Sequence, residues 1–199
     1  LIGLRWLVLA GMPVTNLLPI SNLAKLRTLS LDDTPVSDLK PLSVLNGLRT
    51  LSINNTPVSD LAPLANLRQL QTLIISDTPV SDLKPLSRAV GLEQLTLSDT
   101  PVTDLGPLRD LVGLQTLNLD NTPASDLTPL AGLASLSALS LGDMPVTDLS
   151  PLSGLTGLHG LRLADTPITD LAPLAKITSL ARGAVINTNF GLEYEGTPI

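Results

Sequence analysis

The side chains able to do chemistry in this 199-residue chain recur at 22-residue spacing, and their types point away from catalysis. His159 is the only histidine and cysteine is absent, so no histidine pair serves acid–base work and no thiolate holds a metal. Ser37, Ser59 and Ser81 each precede an aspartate in a repeated S-D step, which is turn chemistry rather than that of an activated nucleophile. No G-x-S-x-G, P-loop or G-x-G-x-x-G stretch occurs. Asp33, Asp77, Asp99, Asp143 and Asp165, with Asn55, Asn121 and Asn187 in the same column, predict an acidic rim. Carboxylates stacked about 5 Å apart repel unless screened, capped or bridged by a cation. Calcium-binding β-solenoids use glycine-rich loops, which this chain lacks, so turn capping and solvation are expected instead. No enzyme activity, cofactor or metal is expected.

A repeat must position these columns. Leu4, Leu26, Leu48, Leu70, Leu92, Leu114, Leu136 and Leu158 each open a 22-residue unit, as in LRTLSLDDTPVSDLKPLSVLNG over 26–47. One such unit cannot bury its own leucines, so neighbouring coils must stack. The L-x-L core (Leu29, Ser30, Leu31) alternates with period two and predicts a short strand. The T-P-V segment predicts the turn leaving that strand, because proline has no N–H for the ladder. D-L-x-P-L-x-x-L then spaces its leucines three apart and predicts a short helical or 3₁₀ segment. Its aspartate (Asp38, Asp60, Asp82, Asp104, Asp126, Asp148 and Asp170) is placed to accept from free backbone N–H groups. The proline three residues later still lies in the first turn, where a missing donor is tolerated. The fold class is an α/β solenoid, with a parallel sheet on the concave face and short 3₁₀ or helical segments on the convex one.

The unit resembles the 22-residue class of leucine-rich repeats, and most closely the internalin-like bacterial repeats, through D-L-x-P-L above all. The resemblance runs from Leu4 to Ser179 without a gap. Where that family places an asparagine at unit position 9, this chain has Thr34, Thr56, Thr78, Thr100, Thr122 and Thr166, with Met12 and Met144 as exceptions. A threonine hydroxyl satisfies fewer backbone groups than an asparagine amide, while the proline that follows removes one donor from the set. No surface anchor or cysteine-bearing cap of the family is visible, so its secreted, host-binding role is not carried over.

Three columns of the unit are expected to line the open strand face. Position 2 runs Arg5, Arg27, Arg49, Gln71, Glu93, Gln115, Ser137 and His159; position 3 begins at Trp6; position 5 ends at Arg162. Interface hot spots favour Trp, Tyr and Arg. Arg5, Trp6, Arg27 and Arg49 are therefore the leading protein-binding candidates, with Gln71, Glu93, His159 and Arg162 further along the same face. The competing reading is a scaffold with solvated side chains.

The function that follows is a non-catalytic module binding a protein or peptide on its concave sheet. One alternative is a spacer or assembly arm of a longer protein. Another is an ice- or ordered-surface binder using the hydroxyl pairs Thr28/Ser30 and Thr50/Ser52, an array that breaks at Ile74, Gln94 and Ala138. Nucleic acid is not an expected partner, since three arginines stand among many carboxylates without a series of aromatics. No apolar run is long enough to span a membrane and no signal peptide is visible, so cytoplasmic and secreted locations are both allowed.

Residues 1–179 hold eight repeats beginning at Leu4; Leu1, Ile2 and Gly3 fit unit positions 20 to 22, so the chain begins inside a repeat without a polar cap. That predicts a fragment of a longer protein, or an end open to self-association. Residues 180–199 predict a degenerate ninth repeat with an inserted strand, or a cap in which Phe190 and Tyr194 cover the last layer; the need to shield a solenoid end favours the cap. Twelve of the 18 acids occupy unit positions 8 and 13, so the net charge of −6 is mostly a property of the repeated frame.

Overall fold

The computed structural model describes residues 3–180. Eight strands lie in chain order in one parallel sheet: β1 (Trp6–Val8), β2 (Thr28–Ser30), β3 (Thr50–Ser52), β4 (Thr72–Ile74), β5 (Gln94–Thr96), β6 (Thr116–Asn118), β7 (Ala138–Ser140) and β8 (Gly160–Arg162). Each pairing joins residues one repeat apart, as in Thr28↔Thr50 and Leu29↔Leu51, so the sheet register is the repeat itself. A 3₁₀ segment backs each strand, from Leu18–Ile20 in the first coil to Ala172–Lys176 in the eighth. The cap expected around Phe190 and Tyr194 lies outside the described residues.

Seven apolar side chains per coil form the core. In the second coil these are Leu26, Leu29, Leu31, Val36, Leu39, Leu42 and Leu45, all buried. Each full burial contributes about 1.5–3 kcal/mol, gained only when the next coil covers it. Leu4, Leu7, Leu9, Val14 and Ile20 of the first coil are accordingly only partly buried.

The turn out of the strand comes earlier than the T-P-V segment suggests. It falls on unit positions 7 and 8, as at Asp32 and Asp33. Position 8 is left-handed in every described coil: φ is 57° at Asp33, 48° at Asn55, 54° at Asp77, 59° at Asp99, 55° at Asn121, 57° at Asp143 and 59° at Asp165, with Gly11 at 69°. Aspartate, asparagine and glycine are the residues that tolerate this region. The column read as an acidic rim is therefore first a backbone requirement. Its charge is partly relieved across coils, because Asn55 donates to Asp33 (2.8 Å) and Asn121 to Asp99 (2.6 Å).

Threonine at position 9 follows the turn and is buried. Its hydroxyl donates to the carbonyl three residues back, as in Thr34 to Leu31 (2.6 Å) and Thr100 to Leu97 (2.6 Å). At position 13 the Asp38 carboxylate accepts the Lys40 N–H at 2.8 Å, and Asp60, Asp82, Asp104, Asp126, Asp148 and Asp170 repeat that bond. Asn16 takes the same role in the first coil. The aspartate sits one residue before the cap residue of its 3₁₀ segment and acts through an Asx turn.

Two outcomes follow. Asp77→Gly should leave the urea midpoint unchanged or higher, whereas Asp77→Val should cost about 1–2 kcal/mol by forcing a β-branched residue to positive φ. The hydroxyls of Thr128 and Ser150, then their backbone N–H groups, hold the Asp126 and Asp148 carboxyls below the usual aspartate range. A depressed folded pKa stabilises above the unfolded value of about 3.9 and is lost as pH falls through the folded one. Urea midpoints taken from pH 7 downward should therefore fall less steeply in acid for Thr128→Ala/Ser150→Ala than for the parent chain.

Candidate binding face

Strand residues at position 4 point into the core, while those at positions 3 and 5 point out with position 2 beside them. Arg5, Arg27 and Arg49 stand on adjacent coils, joined by backbone bonds from Arg27 N to Arg5 O and from Arg49 N to Arg27 O, each 2.8 Å. Trp6 flanks this column and is 70% exposed. Arg27 is half-buried and fixed: its Nη1 donates to Gly47 O at 2.8 Å. A Cβ at Gly47 would overlap that guanidinium, so the glycine is what lets Arg27 lie there. Among the described residues, none of these three arginines has a carboxylate partner within 4.0 Å.

Other predicted residues are engaged elsewhere or stand apart. Gln71 donates to Glu93 across coils at 3.2 Å. His159 is exposed on the eighth coil, the far end of the sheet from the arginines. Arg162 is in an ion pair with Asp120 at 2.5 Å, reaching over the intervening coil. Gly142 lies beneath that reach, and a Cβ there would collide with the Arg162 guanidinium.

Asp120 belongs to a column at position 7 that the fixed repeat pattern conceals. Its Oδ1 accepts from Ser140 Oγ (2.6 Å) and the Gly142 N–H (2.6 Å). Asp32 likewise accepts from Ser30 Oγ (3.0 Å), Ser52 Oγ (2.6 Å) and the Asn54 N–H (2.8 Å), and Asn54 accepts the Ser76 N–H at 2.8 Å. These side chains satisfy N–H groups that turn out of the strand ladder. Only some coils carry Asp or Asn here, so the signal was present but irregular. The same bonds engage the hydroxyl hydrogens of Ser30 and Ser52.

Towards the other end, position 3 shrinks from Thr116 through Ala138 to Gly160. The result is an open hollow of 320 Å³ over Leu117, Leu139 and Leu161, bordered by Asn118, Ser140 and Arg162. Apolar walls with few polar groups suit a side chain from another molecule better than a reaction. Among the described residues no group of three His, Asp or Glu is placed to hold a metal ion, and no helix is long and apolar enough to cross a membrane.

Comparison with known proteins agrees with this geometry. The leucine-rich repeat family pattern (two copies) matches residues 90–132. No curated protein matches the chain. Among solved structures, internalin C2 from Listeria monocytogenes is 31% identical with a TM-score of 0.88, over 92% of this chain and 80% of that one. An internalin (inlF) from the same species is 31% identical with a TM-score of 0.75, over 94% of this chain and 62% of that one. The ectodomain of the Arabidopsis thaliana receptor kinase GASSHO1/SCHENGEN3, in complex with Casparian strip integrity factor 2, shares the fold at 20% identity and a TM-score of 0.75, over 88% of this chain and 23% of that one.

The position-7 bridge can be tested by stability. Asp120→Ala removes the acceptor for Ser140, Gly142 and Arg162 and should cost about 1–3 kcal/mol by urea unfolding. Gly142→Ala displaces the flexible, half-exposed Arg162 and crowds Asp120 Oδ1, 3.1 Å from the new Cβ, but leaves that acceptor in place and should cost less than Asp120→Ala.

Proposed function

The chain belongs to the internalin-like leucine-rich repeat proteins, and from that premise we propose that it is a non-catalytic module holding a protein or peptide segment across its concave sheet. The observation that carries this reading is the first three coils, where exposed Trp6 stands beside Arg5, Arg27 and Arg49 and, among the described residues, none of the three has a carboxylate partner. Aromatic and guanidinium groups contribute most at interfaces when a partner covers them. Gln71 and Glu93 continue the column, and Arg162 borders the hollow at the far end, with His159 on the same coil. The solved complex of the plant receptor ectodomain supports the general mode, a solenoid of this fold engaging a partner.

Rigidity makes the face suitable. Strands β2 to β7 are each bonded to both neighbours, and β1 and β8 to one, so the side chains of columns 2, 3 and 5 project from backbone already held in the sheet before binding. A partner therefore loses mainly its own freedom.

Selection of random dodecapeptides against the chain tests the proposal. Selected peptides should lose about tenfold or more in affinity when Trp6→Ala or Thr72→Lys is introduced, with urea midpoints unchanged. Binders indifferent to both substitutions would place recognition away from the first four coils, where this reading puts it, and overturn the reading.

A further inference from the structure

We propose that the position-2 edge of the first coils is a docking strip for an extended, acidic polypeptide segment, with Arg27 pre-positioned by its bond to Gly47. The inference rests on the concave-face reading above and names its partner's chemistry.

Charge placement is the first support. Unit positions 21 to 3 of the first four coils carry Lys25, Arg68, Arg5, Arg27 and Arg49 and no carboxylate; the first acid along this edge is Glu93. The chain as a whole is acidic, at −6, so this strip inverts the local sign. Its nearest opposing column, Asp32 and Asp33, stands at positions 7 and 8. Five or six strand residues at about 3.3 Å each separate the two edges by roughly 16–20 Å. Screening acts over about 8 Å at physiological salt. The rim therefore does not neutralise the strip.

Spacing supplies the second support. Adjacent arginines rise about 4.8 Å per coil, and like charges about 5 Å apart in water repel by roughly 0.8 kcal/mol. A carboxylate placed between two of them adds two shorter-range attractions that outweigh that repulsion. Arg5 to Arg49 spans two coils, about 10 Å, the reach of three residues of an extended chain. In an extended segment of polyproline II form, with three residues per turn at about 3.1 Å each, acidic side chains at every third position face one side about 9 Å apart and match the span from Arg5 to Arg49.

The partner must also be narrow. A nucleic-acid duplex laid on the strip carries its second backbone toward the carboxylate rim, whereas a single polypeptide running across the coils stays on the basic edge. Trp6, Val8, Thr28 and Thr50 beside the arginines offer it apolar cover and hydroxyls; Trp6 and Val8 are exposed.

Arg27 is the pre-organised member. Nη1 is bonded to Gly47 O, and among the described residues the other guanidinium nitrogens have no protein partner. A side chain at Gly47 evicts it without touching its charge. Gly47 is thus a positioning residue for Arg27.

Trp6 is the only tryptophan, so its emission reports docking without a label. The whole chain is titrated with a dodecapeptide free of aromatics, bearing Glu at every third position, and with its Gln counterpart. The Glu peptide should bind at least about tenfold more tightly and weaken with added salt. Arg27→Glu/Arg49→Glu should weaken it by more than about tenfold while admitting the corresponding Lys peptide, which shows the face intact. Gly47→Ala should weaken it about threefold to tenfold with an unchanged urea midpoint. Equal binding of the Gln peptide, indifference of the Glu peptide to Arg27→Glu/Arg49→Glu, or tighter binding of a twelve-base-pair DNA duplex at the same salt overturns the acidic-segment proposal. Unchanged affinity in Gly47→Ala overturns the role given to Gly47. If selected dodecapeptides depend on Trp6 or Thr72 but are neither acidic nor sensitive to Arg27 and Arg49, the strip falls and the concave-face reading stands.

Discussion

Each coil has two residues in which to leave its strand, and the left-handed residue at position 8 makes that possible. With φ near 50–70° at Gly11, Asp33, Asn55 and their equivalents, the chain bends out of the sheet while its next N–H still reaches the following coil, as Asp33 N does at Asn54 O (2.9 Å). Several neighbouring features answer to that bend. The position-7 N–H is turned away from the ladder and takes a side-chain acceptor where Asp or Asn is available. The threonine at position 9 is carried inward, where it needs a partner and finds the carbonyl three residues back. Proline then follows at a point where no donor is required. The bend fixes where the strand stops, and so which three residues of each coil stand on the open face.

That division separates two kinds of column. Buried columns hold nearly one residue type from end to end, because each side chain packs against its own counterpart one coil away. Exposed columns carry no such restraint, and they vary: arginine gives way to glutamine and glutamate at position 2, and threonine to alanine and glycine at position 3. Variation on a constant frame is how one solenoid presents different chemistry at its two ends. A charged strip beside tryptophan lies at the first coils, and a small apolar hollow at the last.

The frame was legible from spacing alone, since leucines 22 apart and a period-two core leave one way to bury them. The turn was not, because aspartate at position 8 satisfies two readings, a solvated charge and a residue tolerant of positive φ. Gly11 in the same column separates them: glycine has no charge, so only conformation unites the set. The engagement of Arg162 was illegible for a different reason. Its partner Asp120 is 42 residues away, in a column where Asp is not the rule, and the path between them depends on Gly142 lacking a side chain. Arg27 shows the same dependence on Gly47. Glycines at these sites read as ordinary loop residues until the neighbouring coil is laid beside them.

The face and the frame are also separable energetically, and this lets an acidic protein keep a basic edge. Most carboxylates sit at positions 8 and 13, where one sets the bend and the other closes the Asx turn that leads into the 3₁₀ segment. Both lie away from position 2, the former by about 20 Å along the strand, which is beyond the screening distance. Arginines at position 2 therefore neither weaken these turns nor are quenched by their carboxylates. Among the described residues none of the three bonds to the position-7 side chains Asp32 and Asp120, and Arg5 and Arg49 are exposed, so charge can be exchanged there without breaking a bridge. The field a partner meets at the first coils is then set by three guanidiniums and their neighbours, not by the net charge of the chain.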